Sequence, residues 1–183
     1  MGGISIWCMH FIGNRAIVLA GGARPFQIAY NAGFTVLSFF IPILVLLAAF
    51  ILIGSNERIN IFRVCGSGSL AGCGICGMHY LGQAGIANYT CIYHPANVVG
   101  AAIIAIVASI AALSVFFVLR AVWSNSWWKR ALTAIILSGA VSGMHWVASV
   151  GTNYRLRMAV PQTPNPPVSM SNNSTVIVVI VLV

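Results

Sequence analysis

Long apolar runs alternate with short polar breaks along the chain, and the runs are of helix length, not strand length. Four of them contain no charged residue: Phe34 to Gly54, Gly66 to Ala87, Asn97 to Leu119 and Ala131 to Thr152. A helix needs about 20 mostly apolar residues to cross the hydrocarbon core of a bilayer, so each run predicts a membrane span. Two shorter runs flank them. Met1 to Gly13 lacks the basic start and cleavage site of a signal peptide, and Thr175 to Val183 is a nearly unbroken Val/Ile stretch. The pattern predicts an all-α, polytopic transmembrane helical bundle. It divides the chain into a membrane domain over 1–152 whose first helix is truncated, an outer Pro-rich loop over 153–172, and the truncated start of a further transmembrane helix over 173–183.

Composition narrows the chemistry. Charged residues make up 5% of the chain, against about 25% in soluble domains. Nine Lys/Arg face one acid, Glu57, and there is no Asp, for a net charge of +8. One carboxylate cannot supply paired acid catalysts, a carboxylate-bridged metal pair or an intramembrane carboxylate relay. Neither Gly-x-Ser-x-Gly nor a phosphate loop occurs, and no acid is available to orient a histidine base. The sequence therefore predicts no enzyme.

The basic excess sits in loops, where it sets topology and does not mark a nucleic-acid surface. Arg58 and Arg63 lie in loop 55–65, and Arg120, Lys129 and Arg130 in loop 120–130; the opposite side holds Arg15, Arg24, Arg155 and Arg157. The glycosylation sequons at Asn88, Asn172 and Asn173 also fall on that opposite side. Both signals predict cytoplasmic 55–65 and 120–130 loops, an exposed outer linker at Pro161 to Pro167, and a multi-pass protein of the plasma membrane.

A threefold repeat carries the candidate chemistry. Gly3 to Gly13, Gly72 to Gly82 and Ser138 to Ala148 align without a gap, each with Met-His-aromatic and a small residue three positions after the histidine. The motifs are Met9-His10-Phe11, Met78-His79-Tyr80 and Met144-His145-Trp146. The histidines are spaced by 69 and 66 residues, which is one helical hairpin per repeat. The bundle is thus built from repeated two-helix units, with three parallel motif helices and their histidines at similar depth. Gly13, Gly82 and Ala148 share a face with the histidines and leave room beside the imidazoles. Gly68-x-x-x-Gly72 and Gly139-x-x-x-Gly143 permit close helix approach.

An ionisable side chain in the hydrocarbon region is a functional candidate by default. Three equivalent histidines point to a shared ligand site, the alternative being a hydrogen-bonded polar core. Imidazole suits copper, zinc, iron and nickel, and thioether sulfur adds a preference for Cu(I). Met9, Met78 and Met144 are either ligands or flexible core filling. Consecutive helical side chains diverge by about 100°, so a site would pool ligands from several helices. Cys73-x-x-Cys76 with His79 is a second conceivable set, although buried small cysteines need no such role. Cys91 and His94 lie in an outer loop.

The three motifs and their flanks, Gly-Ile-Ser-Ile-Trp-Cys before Met9 and Gly-Ile-Cys-Gly before Met78, resemble the MHYT family of integral-membrane sensor domains over residues 1 to about 152. The resemblance implies a helical bundle with the motifs near its outer face, sensing of a diatomic gas (O2, CO or NO) or a redox signal, and copper as cofactor. It further implies signalling to a cytoplasmic partner. The chain departs from the family pattern at Asn14, Gln83 and Ser149, where a second Met often stands, at Trp146 for Tyr and at Ala148 for Gly. No output domain and no helix ahead of motif one are present in this sequence. Two other readings remain open, a copper carrier or transporter and a bis-His haem protein.

Overall fold

Every predicted apolar run folds as a helix. The computed structural model describes residues 2–19, 21, 26–54, 60–118, 127–157 and 169–182. Helix α1 spans Gly2–Arg15, α2 Ala32–Gly54, α3 Ile61–Ala84, α4 Pro95–Leu113, α5 Trp127–Val150 and α6 Asn172–Leu182. One π turn, Ser114–Val118, continues α4. Among the described residues three helices are long and apolar enough to cross a membrane: α2, α3 and α4 with its π turn. Helix α5 is as long as α3 and opens on Trp127-Trp128-Lys129-Arg130. Glu57, Arg58, Arg24, Arg120 and Pro161 to Pro167, used above for topology, lie outside the described residues.

Local chemistry explains the helix starts. Asn31 accepts from the backbone N–H of Gly33 and Phe34 at 2.9 and 3.3 Å, capping α2. Asn60 does the same for α3 through Phe62. Pro95 opens α4 directly after His94, where its missing N–H costs nothing.

Helix α3 is the centre of the bundle. Half of its span is buried, against 22% for α2 and α4. It packs on both of them, α4 packs on α5, and α1 packs on α2 and α6. Trp7 Nε1 donates to Ser38 Oγ at 3.1 Å and ties α1 to α2. Outward stripes such as Leu44, Leu47 and Ile51 on α2, or Val99, Ile103 and Val107 on α4, are exposed and form the apolar faces that a lipid phase would cover.

The loops between the helices are more ordered than the sequence predicts. Strand β1 (Ala29–Asn31) pairs antiparallel with β4 (Ser169–Ser171), and β2 (Tyr89–Tyr93) with β3 (Thr152–Leu156). The β2–β3 register sets Cys91 opposite Tyr154 and Tyr93 opposite Thr152. Both ribbons lie where motif helices end and the following helices begin. Strand β2, Tyr-Thr-Cys-Ile-Tyr, is aromatic and β-branched, and in both ribbons pairing satisfies backbone groups that a helix end leaves open. The Asn88 sequon is part of this structure. Its Oδ1 accepts from Ala29 N and its Nδ2 donates to Gln27 O, so the amide is a tether between loops.

Candidate metal centre

The three motif helices run the same way and bring their histidines to one point. His10 and His79 are fully buried and His145 is 7% exposed. His10 Nδ1 lies 3.1 Å from His79 Nδ1, which lies 3.2 Å from His145 Nδ1. The ring centroids form a nearly equilateral triangle of 4.8, 5.0 and 5.2 Å, with the planes close to perpendicular. One potential ligand atom from each lies within 4.8 Å of the others, and among the described residues this is the grouping of metal-type ligands that closes.

The small residues make this convergence possible, though not as the sequence suggested. Gly13 and Gly82 each leave room for a neighbouring motif's imidazole. A Cβ at Gly13 would stand 2.5 Å from His145 Nε2, and one at Gly82 would overlap His10 Nε2. The motif aromatics divide: Phe11 and Tyr80 stand edge-on to their own histidines at 4.9 and 5.0 Å, whereas Trp146 faces outward at 66% exposure.

The other nitrogens are treated unequally. Asn14 Nδ2 is 3.2 Å from His10 Nε2, and Ser149 Oγ is 3.5 Å from His145 Nε2. His79 Nε2 is buried without a hydrogen-bond partner. Its own fourth-residue neighbour, Gln83, turns away to Asn14 and Tyr154. Sequence reading registered Asn14, Gln83 and Ser149 only as departures from a family pattern. Their spacing four residues after each histidine puts them on the histidine's own face, and that signal could have assigned them to the site.

The remaining sequence candidates are placed as follows. Met78 is buried among Trp7, Phe11 and Tyr30, and Met144 among Ile75, Cys76 and Ala148. Met9 is half-buried and lines, with Cys8, Gly13, Ser142 and His145, a cleft of about 500 Å³ between α1 and α5. Cys73 is exposed and Cys76 faces an apolar cluster, so neither joins the histidines. His94 is exposed at the start of α4. Cys91 is a free, half-buried thiol.

Three neutral imidazoles with convergent Nδ1 atoms are the donor set of a borderline or soft transition metal. The fit can be tested on the hydrogen bonds. A ring nitrogen offers either one N–H or one lone pair, so His79 Nδ1 cannot make a full hydrogen bond to both neighbours. A cation at the convergence point would use all three lone pairs. The residues present therefore fit a metal ion.

The family model MHYT, described as a bacterial signalling protein N-terminal repeat, matches residues 3–66 and 72–134. Motif three lies beyond those matches, and the fold restores it to the set. The chain is 28% identical over 166 residues to the signaling protein YkoW of Bacillus subtilis, covering 87% of this chain and 19% of that protein. It is 31% identical over 155 residues to the bifunctional diguanylate cyclase/cyclic di-GMP phosphodiesterase MucR of Pseudomonas aeruginosa, covering 84% and 22% respectively. The chain thus spans about a fifth of the length of these curated relatives. No solved structure matches it. With three aligned motifs, membrane-length helices and a converged histidine triad, the chain belongs to the MHYT family of membrane signalling domains.

Proposed function

We propose that this domain is a membrane sensor in which His10, His79 and His145 hold copper and a diatomic gas or a redox change is read at that ion. The observation that carries the reading is the convergence of three buried Nδ1 atoms at 3.1 and 3.2 Å, a set the imidazoles cannot satisfy among themselves. Copper would supply an open coordination position for O2, CO or NO, or a one-electron couple. The chain's residues do the rest. Gly13 and Gly82 allow the imidazoles to interlock, and Phe11 and Tyr80 wall the rings. Met9, in the cleft beside His145, is the methionine best placed to add a thioether, while Met78 and Met144 act as core.

The ribbon end of the bundle faces outward in this reading, and the opposite loops address a cytoplasmic partner in the plasma membrane. The signalling names of the relatives support such an output, and catalysis belongs to that partner. Only a difference in affinity between two helix packings can carry the signal. The three histidines meet at one depth, which supports a fixed site over a transport path. Their nitrogens stand at hydrogen-bond distance, which leaves no space for a porphyrin between two of them.

The test is Cu(I) titration of the detergent-purified protein against a competing chelator, followed by infrared spectroscopy under CO. One ion per chain and a single CO band are expected, both lost in His79→Gln and both kept in His94→Gln. Absence of Cu(I) uptake by the wild type would overturn the reading.

A further inference from the structure

A line of polar side chains continues from the triad toward the outer ribbon. Asn14 and Gln83 are both fully buried. Asn14 Nδ2 is 3.2 Å from His10 Nε2, and Asn14 Oδ1 is 3.4 Å from Gln83 Nε2. The Gln83 amide meets the Tyr154 hydroxyl, its nitrogen at 3.2 Å and its oxygen at 3.4 Å. One hydrogen-bonded chain therefore joins His10 on α1 to Tyr154 on β3.

An amide has a donor side and an acceptor side, so two in series give such a chain a direction. With the Asn14 nitrogen toward the ring, His10 Nε2 accepts and the imidazole proton sits on Nδ1. With the oxygen toward the ring, Nε2–H donates and Nδ1 presents the lone pair that a metal requires. Metal-bound histidines commonly donate their second N–H in this way, which fixes tautomer and orientation. Passing between the two directions turns over both amides. Tyr154 can close the chain in either, because a hydroxyl both donates and accepts.

We propose that Asn14, Gln83 and Tyr154 are positioning residues that set the tautomer of His10 and reverse direction as one unit when its Nδ1 takes a cation. The inference rests on the metal reading above. It concerns His10 alone, because His145 is served separately by Ser149 and His79 Nε2 by no residue described. The molecule thus contains its own control.

Nitrogen-15 NMR of the histidine rings, without metal and with Cu(I), tests it. In the wild type His10 holds one tautomer when metal-free, and Cu(I) converts it to Nε2–H while the Gln83 amide and Tyr154 signals shift together. Asn14→Asp, which only accepts, holds Nε2–H before any metal is added. Asn14→Leu lowers Cu(I) affinity by about 10–100-fold, and the isosteric Tyr154→Phe mixes the His10 tautomers in the metal-free protein. Ser149→Ala leaves His10 unchanged. A His10 tautomer identical in wild type, Asn14→Asp and Tyr154→Phe overturns the inference. If the wild type takes up no Cu(I), the metal reading falls, and the metal-free spectra of those variants still decide whether the chain governs His10.

Discussion

Helices α3 and α5 carry the same small-residue spacing before their motifs, and only α3 uses it. A Cβ at Gly68 or Gly72 would come within 2.7 or 2.5 Å of the backbone of Ile110 or Ile106 on α4. At Gly139 and Gly143 it would meet nothing within 4 Å. The spacing is a permission for close approach, and it acts only where a neighbouring helix stands in register. The widest separation should come from one substitution made in both places. Gly72→Ala forces two helix backbones apart and should cost about 1–3 kcal/mol. Gly139→Ala adds a better helix former in open space and should stabilise by about 0.5–1 kcal/mol. Thermal unfolding in one detergent reads both, and shifts of the same sign would break the comparison.

Within the triad the same kind of contrast recurs between Gly82 and Ala148. Gly82 is filled by the His10 ring, whereas the equivalent Ala148 already carries a methyl group. Gly82→Ala should push the ring out of the cluster and reduce Cu(I) affinity by at least about tenfold, the scale seen when a ligand's support is removed. Ala148→Gly removes a methyl group and forces no ring to move, and its effect should be smaller. A competition titration of both variants sharpens or removes the distinction.

How much could be read in advance follows the range of the interactions. The helices were legible because their apolar length is a local property, and the triad because the repeat places three histidines in phase. Ribbon β2–β3 was not, since Tyr89 to Tyr93 pairs with residues 59 to 67 positions along the chain. Its five-residue strands are too short for a periodicity signal against the helices on either side. The role of Gly13 and Gly82 was half legible. Spacing showed that they share a face with the histidines, but which imidazole fills them depends on the rotation of one helix against the next. Gln83 shows the limit most clearly. Its position predicts a partner for His79, and its extra methylene carries it past that ring to Tyr154.

The smallest effect separates the ribbon from the bundle by pH. Burial pushes the Tyr154 hydroxyl from its usual value near 10 up to about 12, and raises Tyr93 as well. A group whose pKa is raised by folding gives stability that is complete below its unfolded pKa and lost as pH climbs through the folded one. The ribbon's share should therefore hold up to about pH 10 and decline toward 12. Helices α2 and α4 contain no tyrosine or cysteine. Tyrosinate absorbance should rise late, and amide exchange should quicken in β2 and β3 over that interval while α2 and α4 stay protected. Tyr154→Phe should blunt the change, because the ionising hydroxyl would be gone while the ring packing stays. Equal loss of protection in ribbon and helices would mean that the two regions unfold as one unit, and that Tyr154 reports on the whole bundle.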